Sequence, residues 1–383
     1  MREAIFLLAL ASVNSGVSLR AVEPMLPRLA ADFGTSISAT AVIISAYAFA
    51  YGGSQLVYGP VGDRYGKLKV VTLTLMGAAL GSFGCALAQD LTTLAAMRLF
   101  TALFASTPVV LGLAYIGDRV PAAERQPAIA RFIIGTITGQ ALGPALGGAL
   151  TDLIGWRGTF ATLGAVFAVV SAILLARTRA QWEEDKGKPF SGNPFAVHLR
   201  LLESSRVRHV VLVGFLETLV FFGAFSFLGA YLRLRFGLSL TVIGLILAGF
   251  GIGGVFYTLM VRRLLMALGQ KGLVLWGGVA CGICFALAML TPVWEVFVPC
   301  TVGMGFSFYM LHNTLQTKAT EMAPQARGTA LALYSWAWAM GQAAGVAAMG
   351  FAVSVAGYRP SILVFGAGYF ALGIWMRRNL DKL

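Results

Sequence analysis

The sequence predicts an all-α polytopic membrane protein with twelve transmembrane helices in two pseudo-symmetric six-helix bundles. The first reason is composition: 58% of the 383 residues are hydrophobic and only 12% are charged, whereas soluble chains carry about a quarter charged residues. The second reason is that apolar runs of about 20 residues, each long enough to cross a bilayer as a helix, recur from end to end. The third is a single long polar segment that separates six such runs from six more.

We expect the spans, numbered 1 to 12 in chain order, at 4–26, 38–58, 69–88, 92–115, 128–152, 158–177, 209–232, 240–261, 272–291, 294–315, 327–353 and 360–376. The N-terminal bundle then occupies 1–177, a cytoplasmic linker 178–208 and the C-terminal bundle 209–383. The first run is too long for a cleaved signal peptide, and no small-residue cleavage pattern follows it.

The linker contains a charged stretch followed by an apolar and basic one. The charged residues are Glu183, Glu184, Asp185, Lys186 and Lys188. Residues 197–202 suit either an amphipathic helix on the membrane surface or a simple tether between the bundles, and we favour the tether. His198 and His209 are expected to be solvated linker positions.

The basic residues are distributed unevenly between the two sides of the membrane. With both termini cytoplasmic, the inside segments hold 22 of the 29 Lys and Arg residues, and the outside segments hold five. This asymmetry follows the positive-inside rule and predicts a multi-pass protein of a cell inner membrane. It also argues against a nucleic-acid partner for the net charge of +13, because the basic side faces anionic lipids.

The chain looks duplicated, with matching positions that are 202 residues apart. The matched pairs are Arg125 with Arg327, Gly139-Gln140-Ala141 with Gly341-Gln342-Ala343, and Gly155-Trp156-Arg157 with Gly357-Tyr358-Arg359. Two six-span halves that arose by duplication would give such an offset.

Span 5 carries a stripe of small residues. Gly139, Gly143 and Gly147 recur every four residues, so one helix face is nearly bare and another helix backbone can approach it closely. Pro144 removes a backbone donor and is expected to kink the helix there. Gly148 extends the small-residue surface.

The loop between spans 2 and 3 reads Gly59-Pro60-Val61-Gly62-Asp63-Arg64-Tyr65-Gly66-Lys67. Gly62 allows close helix approach, and Gly66 supplies a turn with positive φ. Asp63 can accept hydrogen bonds from a helix N-terminus or an arginine. Arg64 and Lys67 can meet phosphates or carboxylates at the inner surface.

Gly59, Asp63, Arg64, Gly66 and Lys67 resemble the loop motif of the major facilitator superfamily, G-x-x-x-D-R-x-G-R-K, with Val61 where leucine is usual. The span 5 stretch resembles the G-x-x-x-G-P-x-x-G-G motif of the drug/proton antiporters of that family. Pro24-Met25-Leu26-Pro27 is similar to another exporter element. The resemblance implies the major facilitator fold, with two bundles that rock around a central site.

Few ionisable residues lie within the predicted spans, and such groups are functional candidates by default. Arg20 and Glu23 are three residues apart in span 1 and can pair on one helix face. The family resemblance implies that Arg98 of span 4 influences proton binding at a nearby acid, although Thr101 and Ala102 replace the Gln-Gly pair that follows this arginine in the family. Glu23 is the first candidate acid, unless Arg20 and Glu23 form only a structural pair near the outer interface. Glu217 is the second, unless it is merely interfacial.

The candidate substrate cavity consists of aromatic and amide side chains, which suit a bulky amphiphilic ligand. They are Asn14, Tyr47, Gln55, Gln140, Phe221, Phe222, Phe225, Asn313, Tyr334, Trp336, Trp338 and Gln342. For His312, beside Asn313, the alternatives are a group that changes its charge near neutral pH and an interfacial histidine without a role, and we favour the second.

The sequence therefore predicts a proton-coupled exporter of a small amphiphilic compound, with protons and membrane lipids as its other partners. No P-loop pattern is present, so ATP drive within this chain is not expected. We also expect a monomer with no enzyme activity, cofactor or metal. A proton-coupled uptake symporter or facilitator is the alternative within transport, and a lipid-handling or sensory membrane protein is the alternative outside it.

Overall fold

The computed structural model describes residues 2–182 and 194–383, and these residues form helices, short 3-10 turns and connecting loops without a β-strand. The α-helices are Arg2–Arg20, Leu26–Asp32, Ile37–Thr40, Val42–Tyr65, Lys67–Leu87, Leu91–Ala105, Thr107–Arg119, Ala122–Thr178, Pro194–Leu201, Ser205–Phe236, Leu240–Leu290, Phe297–Glu321, Arg327–Ala356 and Tyr358–Asn379. The charged stretch predicted at 183–188 lies outside the described residues.

Each of the twelve predicted spans coincides with helix. Among the described residues, nine helical stretches are long and apolar enough to cross a membrane. Two of these stretches, within Ala122–Thr178 and Leu240–Leu290, each contain two spans joined at a single glycine with non-helical backbone angles, Gly155 and Gly269. Span 10 corresponds to Phe297–Glu321, which has 25 residues.

Glycines with positive φ form the tight connections between consecutive spans. Gly155 has a φ of 74° and Gly357 has a φ of 81°, and they join spans 5 to 6 and 11 to 12. Gly66, with a φ of 91°, joins spans 2 and 3 as the sequence predicted. An L-residue with a side chain rarely adopts these angles. The first two glycines are duplicated positions, 202 residues apart.

The backbone stays helical at Pro144, and the residue of Ala122–Thr178 with non-helical angles is Gly155, in the connection between spans 5 and 6. The kink at Pro144 stays a prediction. Span 4 is divided at Ser106, just before Pro108, whose ring cannot donate a backbone hydrogen bond. Helix Arg2–Arg20 ends before Glu23, which begins a 3-10 turn.

The glycine stripe of span 5 packs against span 1. A Cβ on Gly139 would overlap the carbonyl oxygen of Val13, and a Cβ on Gly147 would overlap that of Ala21. The later copy repeats the contact: Gly341 of span 11 lies in the same way against the carbonyl oxygen of Phe215 in span 7. Val13 and Phe215 are also 202 residues apart, so the duplication extends to the backbone contact itself.

Spans 5 and 11 also form the contacts between the first six spans and the last six. These contacts use helix faces other than the glycine stripe. Span 5 contacts span 8, where a Cβ on Gly148 would overlap the carbonyl oxygen of Leu240. Span 11 contacts span 2, where Ser45 Oγ donates a 2.9 Å hydrogen bond to the carbonyl oxygen of Ala343. Large apolar side chains such as Leu87, Leu153 and Leu259 point away from the bundle and are 75–79% exposed, as lipid-facing side chains are.

The linker helix Pro194–Leu201 lies against spans 2 and 11. His198 was expected to be solvated, but it is partly buried and lines the cavity described below. This position follows from the packing of the linker helix across the end of two spans, which the sequence of the linker alone does not reveal.

Candidate functional site

A cavity of about 500 Å³ opens between spans 2, 4 and 11 at the predicted cytoplasmic end. Apolar side chains and small residues form most of its wall. The lining residues are Gln55, Leu56, Gly59, Pro60, Asp63, Val109, Val110, Leu113, Ala114, His198, Gly328, Thr329, Leu331, Ala332 and Ser335. A volume of this size suits a small organic molecule.

Contact between spans 2 and 11 closes the cavity on the side away from its mouth. A Cβ on Gly52 would overlap the Cβ of Ala339, one turn beyond Ser335 on span 11. Further along, Ser45 bonds to Ala343, and Gly350 lies near the carbonyl oxygen of Ser38. The cavity is therefore open at the predicted cytoplasmic end and closed at the other end. We call the contacts between the two halves at the closed end the seal.

The seal includes a polar contact between spans 5 and 8. Asp152, at the end of span 5, accepts two 2.7 Å hydrogen bonds from the backbone N–H and the hydroxyl of Thr241. The backbone N–H belongs to the first turn of span 8, where a carboxylate is favourable. Sequence reasoning did not single out Asp152, because its partner is 89 positions away.

The predicted gating loop contains a lysine between two carboxylates. Lys67 is buried, and its Nζ lies 2.9 Å from Asp63 and 2.7 Å from Asp118 of span 4. The guanidinium of Arg64 instead lies 5.2 Å from the ring of Tyr65. Asp118 was not predicted, although Gly117-Asp118-Arg119 repeats the Gly-Asp-Arg order of the loop.

The glycines of the loop have different surroundings. A Cβ on Gly62 would meet the side chain of Leu111, so spans 2 and 4 are close together at this position. Gly59 lines the cavity. This loop therefore borders the cavity mouth and joins three spans.

Arg20 and Glu23 form the predicted ion pair, with 2.7 Å between Arg20 Nη1 and Glu23 Oε1, and both side chains are almost completely buried. The pair reaches across the boundary between the first and last six spans. Ser226 Oγ of span 7 donates a 3.5 Å hydrogen bond to Glu23 Oε1. The other carboxylate oxygen, Oε2, has no hydrogen-bond partner among the described residues.

The guanidinium of Arg20 lies in an aromatic socket formed by the last six spans. Its Cζ is 4.6 Å from the ring centroid of Phe222, 5.2 Å from that of Phe225 and 5.7 Å from that of Phe250. Aromatic faces attract a cation most strongly when water is excluded. Phe221, a predicted cavity residue, stacks on Phe225 behind this socket.

Arg98 is buried in the first six spans, and no ion pair among the described residues includes it. Its Cζ lies 3.8 Å above the ring of Tyr47, and its Nη2 donates a 3.1 Å hydrogen bond to the carbonyl oxygen of Ser18. The structure therefore places Tyr47 beneath Arg98. Neither Glu23 nor Glu217 is within ion-pair distance of the arginine.

Glu217 and His312 form a second buried pair, with 3.0 Å between Glu217 Oε2 and His312 Nδ1. The histidine was expected to have no role, but it stacks on Phe308 and contacts this acid. The side chain of Glu217 is completely buried within the protein. The pairing partners are 95 positions apart, so no local pattern identifies them.

The remaining predicted cavity residues lie in several places. Tyr334 and Trp338 surround His312, with ring centroids 6.4 and 6.3 Å away. Asn14 and Gln342 are buried, and each has an amide nitrogen without a partner among the described residues. Gln140 and Asn313 are partly buried. Of the predicted site residues, Gln55, Gly59 and Asp63 line the 500 Å³ cavity, and the others do not.

A family model described as Major Facilitator Superfamily matches residues 8–319 and 210–382. The chain belongs to the major facilitator superfamily. Members of this superfamily are membrane transporters of small molecules, so the protein is a multi-pass transporter and not an enzyme.

Relatives within the superfamily cover the chain to different extents. The chain is 28% identical over 379 residues to YwfA, an uncharacterized MFS-type transporter of Bacillus subtilis (strain 168), covering 94% of this chain and 89% of the relative. It is 31% identical over 153 residues to the efflux pump FUB11 of Gibberella moniliformis, covering 39% of this chain and 26% of the relative.

Solved structures of the superfamily share the fold. A bacterial homologue of the human lysosomal transporter Spinster, in an inward-facing and unoccupied conformation, superposes with a TM-score of 0.78. It is 16% identical, and the match covers 100% of this chain and 98% of that chain. This similarity confirms the major facilitator fold predicted from the sequence.

Proposed function

We propose that this transporter exports a small amphiphilic compound in exchange for protons by alternating access, in an inner membrane with both termini cytoplasmic. The observation that carries the proposal is the Arg20–Glu23 pair. It is buried where the first and last six spans meet, and Glu23 contacts Ser226 on the other side of this boundary. The same oxygen of Glu23, Oε1, therefore pairs with Arg20 and contacts the opposite half of the protein.

The geometry supports an inward-open state. The cavity mouth lies beside the Asp63–Lys67–Asp118 contacts at the basic, predicted cytoplasmic end. Spans 2 and 11 and spans 5 and 8 close the opposite end. In alternating access these contacts would separate while the cavity mouth closes, with residues 1–177 and 209–383 moving as two bundles joined by the linker.

A proton on Glu23 would remove the negative charge that neutralises Arg20 at the seal. The ionised carboxylate neutralises Arg20, and both groups are shielded from water. When Glu23 takes up a proton, the guanidinium becomes a buried charge with only aromatic partners, which is costly in a low dielectric. Opening the seal would let Arg20 reach water, so a proton on Glu23 favours the outward-open state.

Export is favoured over uptake by the span 5 motif and by the efflux pump named among the relatives. Amphiphilic substrates are favoured by the cavity wall, which combines apolar side chains with a few polar groups such as Gln55 and Ser335. Arg98 is proposed to act on the same proton indirectly, through span 1, because it bonds to Ser18, five residues before Glu23.

Proton-driven flux in vesicles tests the proposal. A thermal-shift screen of amphiphilic compounds first identifies ligands of the purified protein. Reconstituted vesicles should then move such a ligand against its gradient when a proton gradient is imposed. Glu23→Gln should abolish this movement while the protein remains folded, and Glu321→Gln, an exposed carboxylate near Arg206, serves as the control.

Two results would contradict the proposal. Normal proton-driven export by Glu23→Gln would exclude Glu23 as the proton carrier. Accumulation of the ligand in the same direction as the protons would show a symporter instead of an exchanger.

A further inference from the structure

We infer that Glu217 and His312 form a second proton-binding site, located in the last six spans and independent of Arg20 and Glu23. Proton binding by this pair is a property of the resting protein. Its use during transport rests on the proposed proton-coupled function.

The two groups are placed to share a proton. Nδ1 of His312 lies 3.0 Å from Oε2 of Glu217, so with an ionised carboxylate the imidazole N–H donates to the carboxylate. A first proton on the pair gives an imidazolium–carboxylate contact, and a second proton on the carboxylate ends that contact. An imidazole is the side chain whose charge changes most readily near neutral pH.

The surroundings of Glu217 contain polar groups that have no partners among the described residues. They are Glu217 Oε1 itself, the hydroxyls of Tyr334 and Tyr369, and Trp338 Nε1. Orphaned polar atoms in a low-dielectric interior cost free energy, and such groups in a native structure call for an explanation. A proton on Oε1 would create a donor in the middle of this cluster.

Among the side chains that the structure describes, tyrosines and one cysteine are the titratable groups nearest to the pair. The titratable groups that face the pair are Tyr309 from span 10, Tyr334 from span 11 and Tyr369 from span 12, with Cys281 of span 9 beyond Tyr369. Among the described residues, no arginine or lysine forms an ion pair with Glu217. Arg20, by contrast, is bound to Glu23 in the aromatic socket.

The pair lies at the closed end of the cavity. Thr218, next to Glu217, donates a 2.7 Å hydrogen bond to the carbonyl oxygen of Trp338. Trp338 follows the cavity-lining Ser335 by one turn on span 11 and precedes Ala339, which meets Gly52. The pair is therefore at the depth where the cavity ends.

The two side chains differ in exposure, and this difference sets the order in which they meet a proton. The side chain of His312 is 12% exposed, whereas that of Glu217 is 0% exposed. A proton that reaches the pair therefore meets the more exposed imidazole first, and the carboxylate receives it through the Nδ1 contact. His312 is therefore a positioning residue for the proton on Glu217, and it is not required to contact the substrate.

Infrared difference spectroscopy on the full-length protein in detergent tests the inference without a substrate. Acidification should produce the C=O stretching signal of protonated carboxyl groups. Glu217→Gln should remove one component of that signal and Glu23→Gln another, while Glu321→Gln should leave both. Glu217→Asp, which keeps a carboxyl group, should move the Glu217 component instead of removing it, and it covers the case in which Glu217→Gln fails to fold.

His312→Gln tests the pairing itself. It should move the pH midpoint of the Glu217 component by about one unit or more, as the loss of a charged partner does, and leave the Glu23 component in place. A spectrum of folded Glu217→Gln identical to that of the original protein, or an unchanged midpoint in His312→Gln, would overturn the inference. The Glu217 signal can be present in a protein that fails to export, and it can be absent in one that exports, so this result is separate from the test of transport.

Discussion

Gly244 of span 8 lies directly against the carbonyl oxygen of Pro144 in span 5, and a Cβ on Gly244 would overlap this oxygen. The contact belongs to the sealed end of the pathway. Pro144 therefore acts here through its carbonyl group and the close approach of two backbones. The sequence drew attention to the same residue for a different reason, a missing donor and a kink.

Gly244→Val should open the seal between spans 5 and 8. The added side chain has no room, and overpacking of this kind costs about 1–3 kcal/mol, which shifts a two-state population about five-fold or more. The distance between spin labels at Ser38 and Ser354 reports the state of this end. Gly53→Val is a matched control, because no atom lies within 4 Å of a Cβ there. Equal label distances in both variants would show that this contact does not set the state.

Asp152→Ala should weaken the same seal by removing both acceptor bonds to Thr241. One charged acceptor bond contributes about 1.5–3 kcal/mol at most, and the exposed position of Asp152 reduces this. We therefore expect a several-fold increase in the labelling rate of a cysteine placed at Leu240. Asp152→Asn retains one acceptor oxygen and should increase the rate less. A rate in Asp152→Ala equal to that of the original protein would contradict the assignment.

Lys67→Met should destabilise the predicted cytoplasmic end, because Asp63 and Asp118 would face each other without the intervening cation. We expect a loss of about 1–2 kcal/mol, since the two aspartates are 44% and 59% exposed and partly screened by water. Thermal unfolding in detergent measures the effect. Adding Asp118→Asn to Lys67→Met should recover part of the loss, and purely additive effects would show that the three groups are not coupled.

Asp90 should give a pH-dependent contribution to stability. It caps span 4 by accepting bonds from the backbone N–H and hydroxyl of Thr93, both 2.8 Å long. These bonds lower the pKa of Asp90 from its ordinary value of 3.8. A carboxyl group with a lowered pKa stabilises the folded state above its unfolded-state pKa and loses this contribution as the pH falls through the folded-state value.

Asp90→Ala should therefore lower the Tm by about one to three degrees near neutral pH, and by less in strong acid. Asp90→Asn keeps a capping oxygen but not the charge, so it should lower the Tm less than Asp90→Ala near neutral pH, and its difference from the original protein should also shrink in strong acid. Thermal scans at both pH values measure the effect. A loss in Asp90→Ala that is the same at both pH values would mean that the charge of Asp90 contributes nothing.

The sequence determined the helical spans and the duplication because both depend on local patterns and fixed offsets. Gly66 and Gly139 were predicted for the turn and the close contact that they form, since glycine at those positions has a direct backbone reason. Arg20 and Glu23 were paired correctly because they are neighbours along the chain. These predictions required no knowledge of which spans touch.

The contacts between distant spans were not predictable in the same way. His312 and Glu217 come from spans 10 and 7, and nothing in either stretch indicates the other. Asp152 meets Thr241 only because spans 5 and 8 cross at their ends. Asp118 differs, because its Gly-Asp-Arg context repeats that of Asp63 and could have identified it.

The repeated contacts of Gly139 with Val13 and of Gly341 with Phe215 have a consequence for how substitutions at glycines should act. These contacts lie within the first six and the last six spans, so both states of the transport cycle would keep them. A larger residue there penalises every state and should reduce how much protein accumulates in the cell. A larger residue at Gly148 or Gly244 penalises one state only, so the protein should accumulate normally while its rate of turnover changes.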